Sequence, residues 1–133
     1  MKYALIFFIL IYTKSCNSQK STAESLDGIW KITSIENKKI ANIDATKCII
    51  NSSENSLAIS IGCNNHMADF KVIKDKIQIN NVFATEKYCP DLSFTEKRLW
   101  DNLPIISDYK LGNNTLTLTL INLKGETAIT LVR

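Results

Sequence analysis

Between Thr115 and Leu120 the chain reads Thr-Leu-Thr-Leu-Thr-Leu. Successive side chains of a strand point to opposite faces, so the leucines share one side and the threonines the other, as on a sheet with one buried face and one wet face. The same period of two recurs from Leu26 onward, in Ile29–Ile35, Cys48–Ile50, Leu57–Ile61, Phe70–Ile73, Ile77–Ile79 and Ala128–Val132. Turn chemistry separates these runs: Asn51–Ser56, Lys74-Asp75-Lys76, Gly112-Asn113-Asn114 and Lys124-Gly125. One segment breaks the period. Leu92, Leu99, Trp100 and Leu103 fall on helical spacing, and Pro104 stops the run. Ser93-Phe94-Thr95-Glu96 has the form of a capping box, in which Ser93 accepts from the Glu96 amide and the Glu96 side chain reaches back. The layout is therefore mainly β, with about eight short strands and one helix inserted before the last three. Closing such a meander into a small antiparallel barrel removes its exposed edges.

A chain of 133 residues, 45% apolar and 22% charged, has ordinary globular composition, which argues against a disordered, collagen-like or multi-span membrane protein. The formal net charge is only +3, with sixteen basic residues scattered among thirteen acids, so no basic stripe marks nucleic acid as a partner.

The first fifteen residues have a different character. Lys2 is followed by a ten-residue apolar run, Tyr3–Tyr12. As a helix it would rise ~15 Å, about half of a bilayer's hydrocarbon core, which suits a signal-peptide core and not a span. Thr13-Lys14-Ser15-Cys16 resembles a bacterial lipoprotein signal, with a small residue before the Cys that becomes the lipidated N-terminus. Residues 16–25 are polar and Ser-rich and read as a flexible tether to a domain over 26–133. A mature chain from Cys16 would keep fourteen basic and thirteen acidic residues, so lipid and not charge would hold it to a membrane.

Several motifs of the body stand in order: Leu26-Asp27-Gly28-Ile29-Trp30, Gly62-Cys63-Asn64-Asn65, Thr85-Glu86-Lys87-Tyr88-Cys89, Glu96 in the helix, Tyr109-Lys110-Leu111 and Leu116-Thr117-Leu118. The series resembles the META domain, the family of the heat-inducible bacterial lipoprotein HslJ, over about Leu26 to Leu131. Ala68, Phe70 and Lys87 depart from that pattern, where Gly, Tyr and Met are usual. The resemblance implies a lipocalin-like barrel, an exported or envelope location, loose links to heat and antibiotic stress, and no established chemistry. It marks Gly62, Asn64, Thr85 and Glu96 as motif positions. It also favours a disulfide between Cys63 and Cys89, which occupy two of its positions, with Cys48 left as a small buried hydrophobe. Pairing of Cys48 with Cys63 is the alternative.

Other chemistries are weaker. Cys63-Asn64-Asn65-His66 has the spacing of metal ligands, which Cys89 and Cys48 would complete as a zinc site. Against this, His66 is the only histidine, and an oxidising envelope favours disulfides. No metal or other cofactor is expected. His66 reads as an exposed or partly exposed turn residue. Asn64 reads as a left-handed turn residue or a partner for backbone, and Trp30 and Trp100 as core anchors. No nucleophile elbow, phosphate loop or catalytic triad is present, and the acids read as solvated surface, so no catalytic residue is expected.

Three functions follow as expectations. The first is a non-enzymatic, lipid-anchored, monomeric envelope protein that faces the periplasm or the cell exterior. It would support envelope integrity or stress tolerance through contact with an unidentified protein partner. The second is a carrier with a small apolar molecule inside the barrel. The third is an inhibitor of a secreted hydrolase that acts through the loop at 37–46 or 51–56.

Overall fold

The computed structural model describes residues 25–74, 76–112 and 117–133. The apolar leader, Cys16 and nearly all of the tether lie outside these residues, as do Asp75 and the start of the Thr-Leu run.

Among the described residues nine strands form in chain order: β1 (Gly28–Ile35), β2 (Lys38–Lys39), β3 (Lys47–Asn51), β4 (Ser56–Ser60), β5 (Asn65–Ile73), β6 (Lys76–Ala84), β7 (Ile106–Leu111), β8 (Thr117–Asn122) and β9 (Thr127–Val132). The helix α1 (Ser93–Asn102) lies between β6 and β7. Neighbouring strands pair antiparallel, and β1 also pairs with β9, with Lys31 opposite Val132 and Ile35 opposite Ile129. That pairing closes eight strands into a barrel, and the two-residue β2 adds to the edge of β1. The fold is the mainly β barrel with one inserted helix that the alternation predicts.

Burial follows the alternation. Along β8 the pattern runs from Thr117 through buried Leu118 and Leu120 to buried Asn122, with half-buried residues between. The inward residues form one cluster in which Trp30 and Phe70 are the largest side chains, joined by Leu99 and Leu103 from the helix end of the barrel. Trp30 satisfies its indole N–H with the Leu26 carbonyl at 2.9 Å, so its whole ring can be buried. The barrel interior is a packed core.

The seams are unequal. Among the described residues, β5 and β6 share seven registered pairs, whereas β6 and β7 share one, Lys76 opposite Asp108. The Lys76 ammonium and the Asp108 carboxylate form an ion pair at that position. At the opposite closure, Arg133 donates to the carbonyls of Asp27 and Ser25 and stacks 4.1 Å from the Trp30 ring centroid, tying the last residue to the first strand.

α1 starts differently from the capping-box expectation. Ser93 is its first residue and not its cap: its hydroxyl donates to the Pro90 carbonyl at 3.0 Å, and the Glu96 amide donates to the Leu92 carbonyl at 2.8 Å. A turn closed by the Leu92 amide on the Cys89 carbonyl brings the chain into the helix one residue earlier. Glu96 is then turned inward, in phase with Leu99 and Leu103.

Candidate functional site

The motif residues converge where β5 begins, β6 ends and α1 crosses the barrel mouth. Gly62 makes the bend into this region. Its φ of +109° is left-handed, whereas a Cβ there would stand at an ordinary contact distance of 3.5 Å from Ala45 and Leu92, so the position suits glycine on conformation and not on space. Cys63 follows and is bonded to Cys89, with Cα atoms 6.3 Å apart. Cys48 is wholly buried on β3, opposite Ile59 of β4, and burial pushes its thiol up to about 12. Two of the four candidate zinc ligands are therefore consumed by the disulfide, and no group of three or more metal-binding side chains occurs among the described residues.

Asn64 clamps the segment after β6. Its Oδ1 accepts from the Lys87 amide at 2.7 Å and from the Thr85 hydroxyl at 2.9 Å, and its Nδ2 donates to the Lys87 carbonyl at 3.2 Å. Thr85 completes the joint: its Oγ1 also accepts from the Asn65 amide, and its own amide donates to the Asn65 carbonyl, each at 3.1 Å. Of the two roles expected for Asn64, backbone bonding is the one it performs. The left-handed residue of the motif is Gly62.

Two expectations are corrected at this site. His66 is not a turn residue: β5 begins at Asn65, and His66 points inward in phase with Ala68 and Phe70, only 3% exposed. Glu96 is not a capping residue. Its Oε2 lies 2.7 Å from His66 Nε2, and its Oε1 accepts from the Asn64 amide at 3.0 Å. An inward-facing histidine at the barrel mouth meets a carboxylate carried on the helix's apolar face. The two polar groups satisfy each other where both are largely buried. His66 Nδ1 is buried and has no hydrogen-bond partner.

Above this pair lies an open cleft of about 480 Å³. Asn64, His66 and Glu96 contribute to its lining, with Ala84, Thr85 and Glu86 from the end of β6 and Lys97, Trp100 and Asp101 from α1. Trp100 is a third correction. It is 42% exposed and lines the cleft, with its ring centroid 6.1 Å from that of His66, whereas the neighbouring Leu99 takes the core position. Lys97 pairs with Asp101 one turn on, at 2.6 Å, on the solvent side.

The structure thus brings Gly62, Cys63, Asn64, Thr85, Cys89 and Glu96 into one cluster and adds His66 and Trp100 to it. The His66–Glu96 pair has a sequence signal: Glu96 shares the helical phase of Leu92, Leu99 and Leu103, and His66 shares the strand phase of Ala68 and Phe70. A polar side chain on each of two apolar faces calls for a mutual partner.

A family model for the META domain matches residues 22–132, well over half of the chain. The chain belongs to the META domain family. This META domain is also similar in fold to a protein from Burkholderia xenovorans solved by NMR. The TM-score is 0.66 and the identity 16%, with 84% of this chain and 85% of that one covered. A comparison of this META domain with curated proteins finds no match.

Proposed function

We propose that this META-domain protein is lipid-anchored through Cys16 in a bacterial cell envelope and is non-enzymatic, supporting envelope integrity or stress tolerance through protein contacts. The observation that carries this is the Cys63–Cys89 disulfide, taken with the leader that precedes it. Disulfides persist in exported proteins and are reduced in the cytosol, so the body and the leader favour the same compartment from independent residues. No helix of the described residues is long and apolar enough to cross a membrane.

The non-enzymatic reading draws on the His66–Glu96 pair. A histidine held by a carboxylate is two parts of a triad, but His66 Nδ1 has no hydroxyl or thiol within bonding reach. A carrier that holds its ligand inside the barrel is disfavoured, because Trp30, Phe70 and the leucines of β8 and the helix end occupy that interior.

Cys16→Ser in the native host tests the anchor. The wild-type chain is expected in the membrane fraction with fatty acid incorporated, and the variant unlabelled and retaining an unprocessed leader. Equal labelling of both would exclude Cys16 as the lipidated residue.

A further inference from the structure

We propose that the cleft over the His66–Glu96 pair is a binding site for a primary ammonium group, carried either by a small free amine or by a lysine side chain of a partner. Four observations support this, and none depends on the lipid anchor.

The first is size. About 480 Å³ falls within the range of small-molecule pockets, and the cleft opens to solvent at the helix-bearing end of the barrel, away from the packed core. The second is charge. Glu86, Glu96 and Asp101 face it against Lys97, whose ammonium is already 2.6 Å from Asp101, and His66, whose Nε2 lies 2.7 Å from Glu96. Glu86 is exposed and has no hydrogen-bond or ion-pair partner among the described residues. An anion would meet the unpaired Glu86 carboxylate there, whereas a cation would be drawn in.

The third is the hydrogen-bond inventory of the floor. A carboxylate only accepts, so His66 Nε2 carries the ring proton and donates it to Glu96 Oε2. In the neutral imidazole that leaves Nδ1 as a bare acceptor, and it is buried without a partner. Buried acceptors are seldom left this way, so the floor of the cleft favours a donor over a further acceptor. The Asn64 amide and side chain are already committed, to Glu96, Lys87 and Thr85, and offer an incoming acceptor nothing. The fourth is Trp100. A half-exposed indole on the wall beside acidic groups is the setting in which an alkylammonium gains from both the ring face and the carboxylates.

The test is a titration of the full chain, isotopically labelled and in its disulfide-bonded form, followed by two-dimensional NMR. The probes are cadaverine, a lysine residue blocked at both backbone ends, and cadaverine acetylated on both nitrogens. The expected result is a saturable shift of the Trp100 indole resonance. The Trp30 indole, held on the Leu26 carbonyl, should stay in place. Binding by both amines assigns a general ammonium site, whereas binding by cadaverine alone or by the blocked lysine alone assigns the source. Affinity should fall at least tenfold in Glu86→Gln, a surface change that leaves the core untouched, and in Trp100→Leu, read there from the Thr85 amide. The proposal fails if no amine gives a saturable shift at about 10 mM, where millimolar binding would be evident. It fails equally if the acetylated control binds as well as the amines, or if Glu86→Gln leaves the affinity unchanged.

Discussion

Removing the Glu96 carboxylate would strip partners from two buried groups, the Asn64 amide and His66 Nε2. An unsatisfied buried donor costs about 1–3 kcal/mol, so Glu96→Ala should destabilise the domain by about 2–4 kcal/mol in urea titrations. Ser93→Ala is the matched control. Because Ser93 bonds only the Pro90 carbonyl at the exposed start of α1, its loss should change stability by no more than about 0.5 kcal/mol. A capping box would predict a substantial loss at Ser93. A hub at Glu96 predicts the loss at Glu96 alone. Cys48 supplies a second residue-scale expectation. With its thiol wholly buried and pushed up to about 12, it should resist a maleimide or aromatic disulfide reagent at pH 8 in the folded chain and react at once in denaturant. Rapid labelling of the folded protein would contradict the burial of Cys48 on β3.

At the scale of elements, the barrel has one thin seam. β6 and β7 meet at a single registered pair, and the Lys76–Asp108 ion pair sits on it. Hydrogen bonds from Lys76, then from Ser107, hold the Asp108 carboxyl below the usual carboxylate value. A carboxylate whose folded value is depressed adds stability above the ordinary value of about 3.9, and that stability is lost as pH falls through the depressed value. Asp108→Asn should therefore lower the denaturation midpoint at pH 6. The gap to wild type should close as the pH falls through the depressed value. A gap that persists unchanged at pH 2 would mean that the asparagine acts through packing and not charge. The alternation of Leu118 and Leu120, the helical phase of Leu99 and Leu103, and the turns at Asn51–Ser56 and Lys124-Gly125 make the elements legible in the sequence, because each depends on neighbours along the chain. The helix start was not legible. Ser93 and Glu96 have the form of a capping box, but the turn through Cys89 and Pro90 sets the first residue, and long-range partners claim the Glu96 side chain.

At the scale of the whole molecule, the barrel, its closure and its family were readable. The centre of the candidate site was only half so. The resemblance marks Gly62, Asn64, Thr85 and Glu96, and the structure gathers all four. His66 and Trp100 were misread because local chemistry says nothing of which end of a barrel a helix will cross. Once α1 lies over the mouth beside β5, His66 is buried beneath it and Trp100 is left on the rim. The same geography separates two halves of the protein. One half is a packed barrel joined end to end by Arg133. The other is a disulfide-pinned mouth with a cleft. Attachment to a membrane, as we propose it, runs through residues that precede Ser25. The most direct test of a lipid-anchored, oxidised META domain is the intact mass of the chain taken from its native membrane, measured without reductant. The expected species is a polypeptide beginning at Cys16, carrying diacylglycerol and an N-acyl chain, and two hydrogens lighter than its reduced form. A chain that retains the leader, lacks lipid and has all its cysteines as thiols would contradict it.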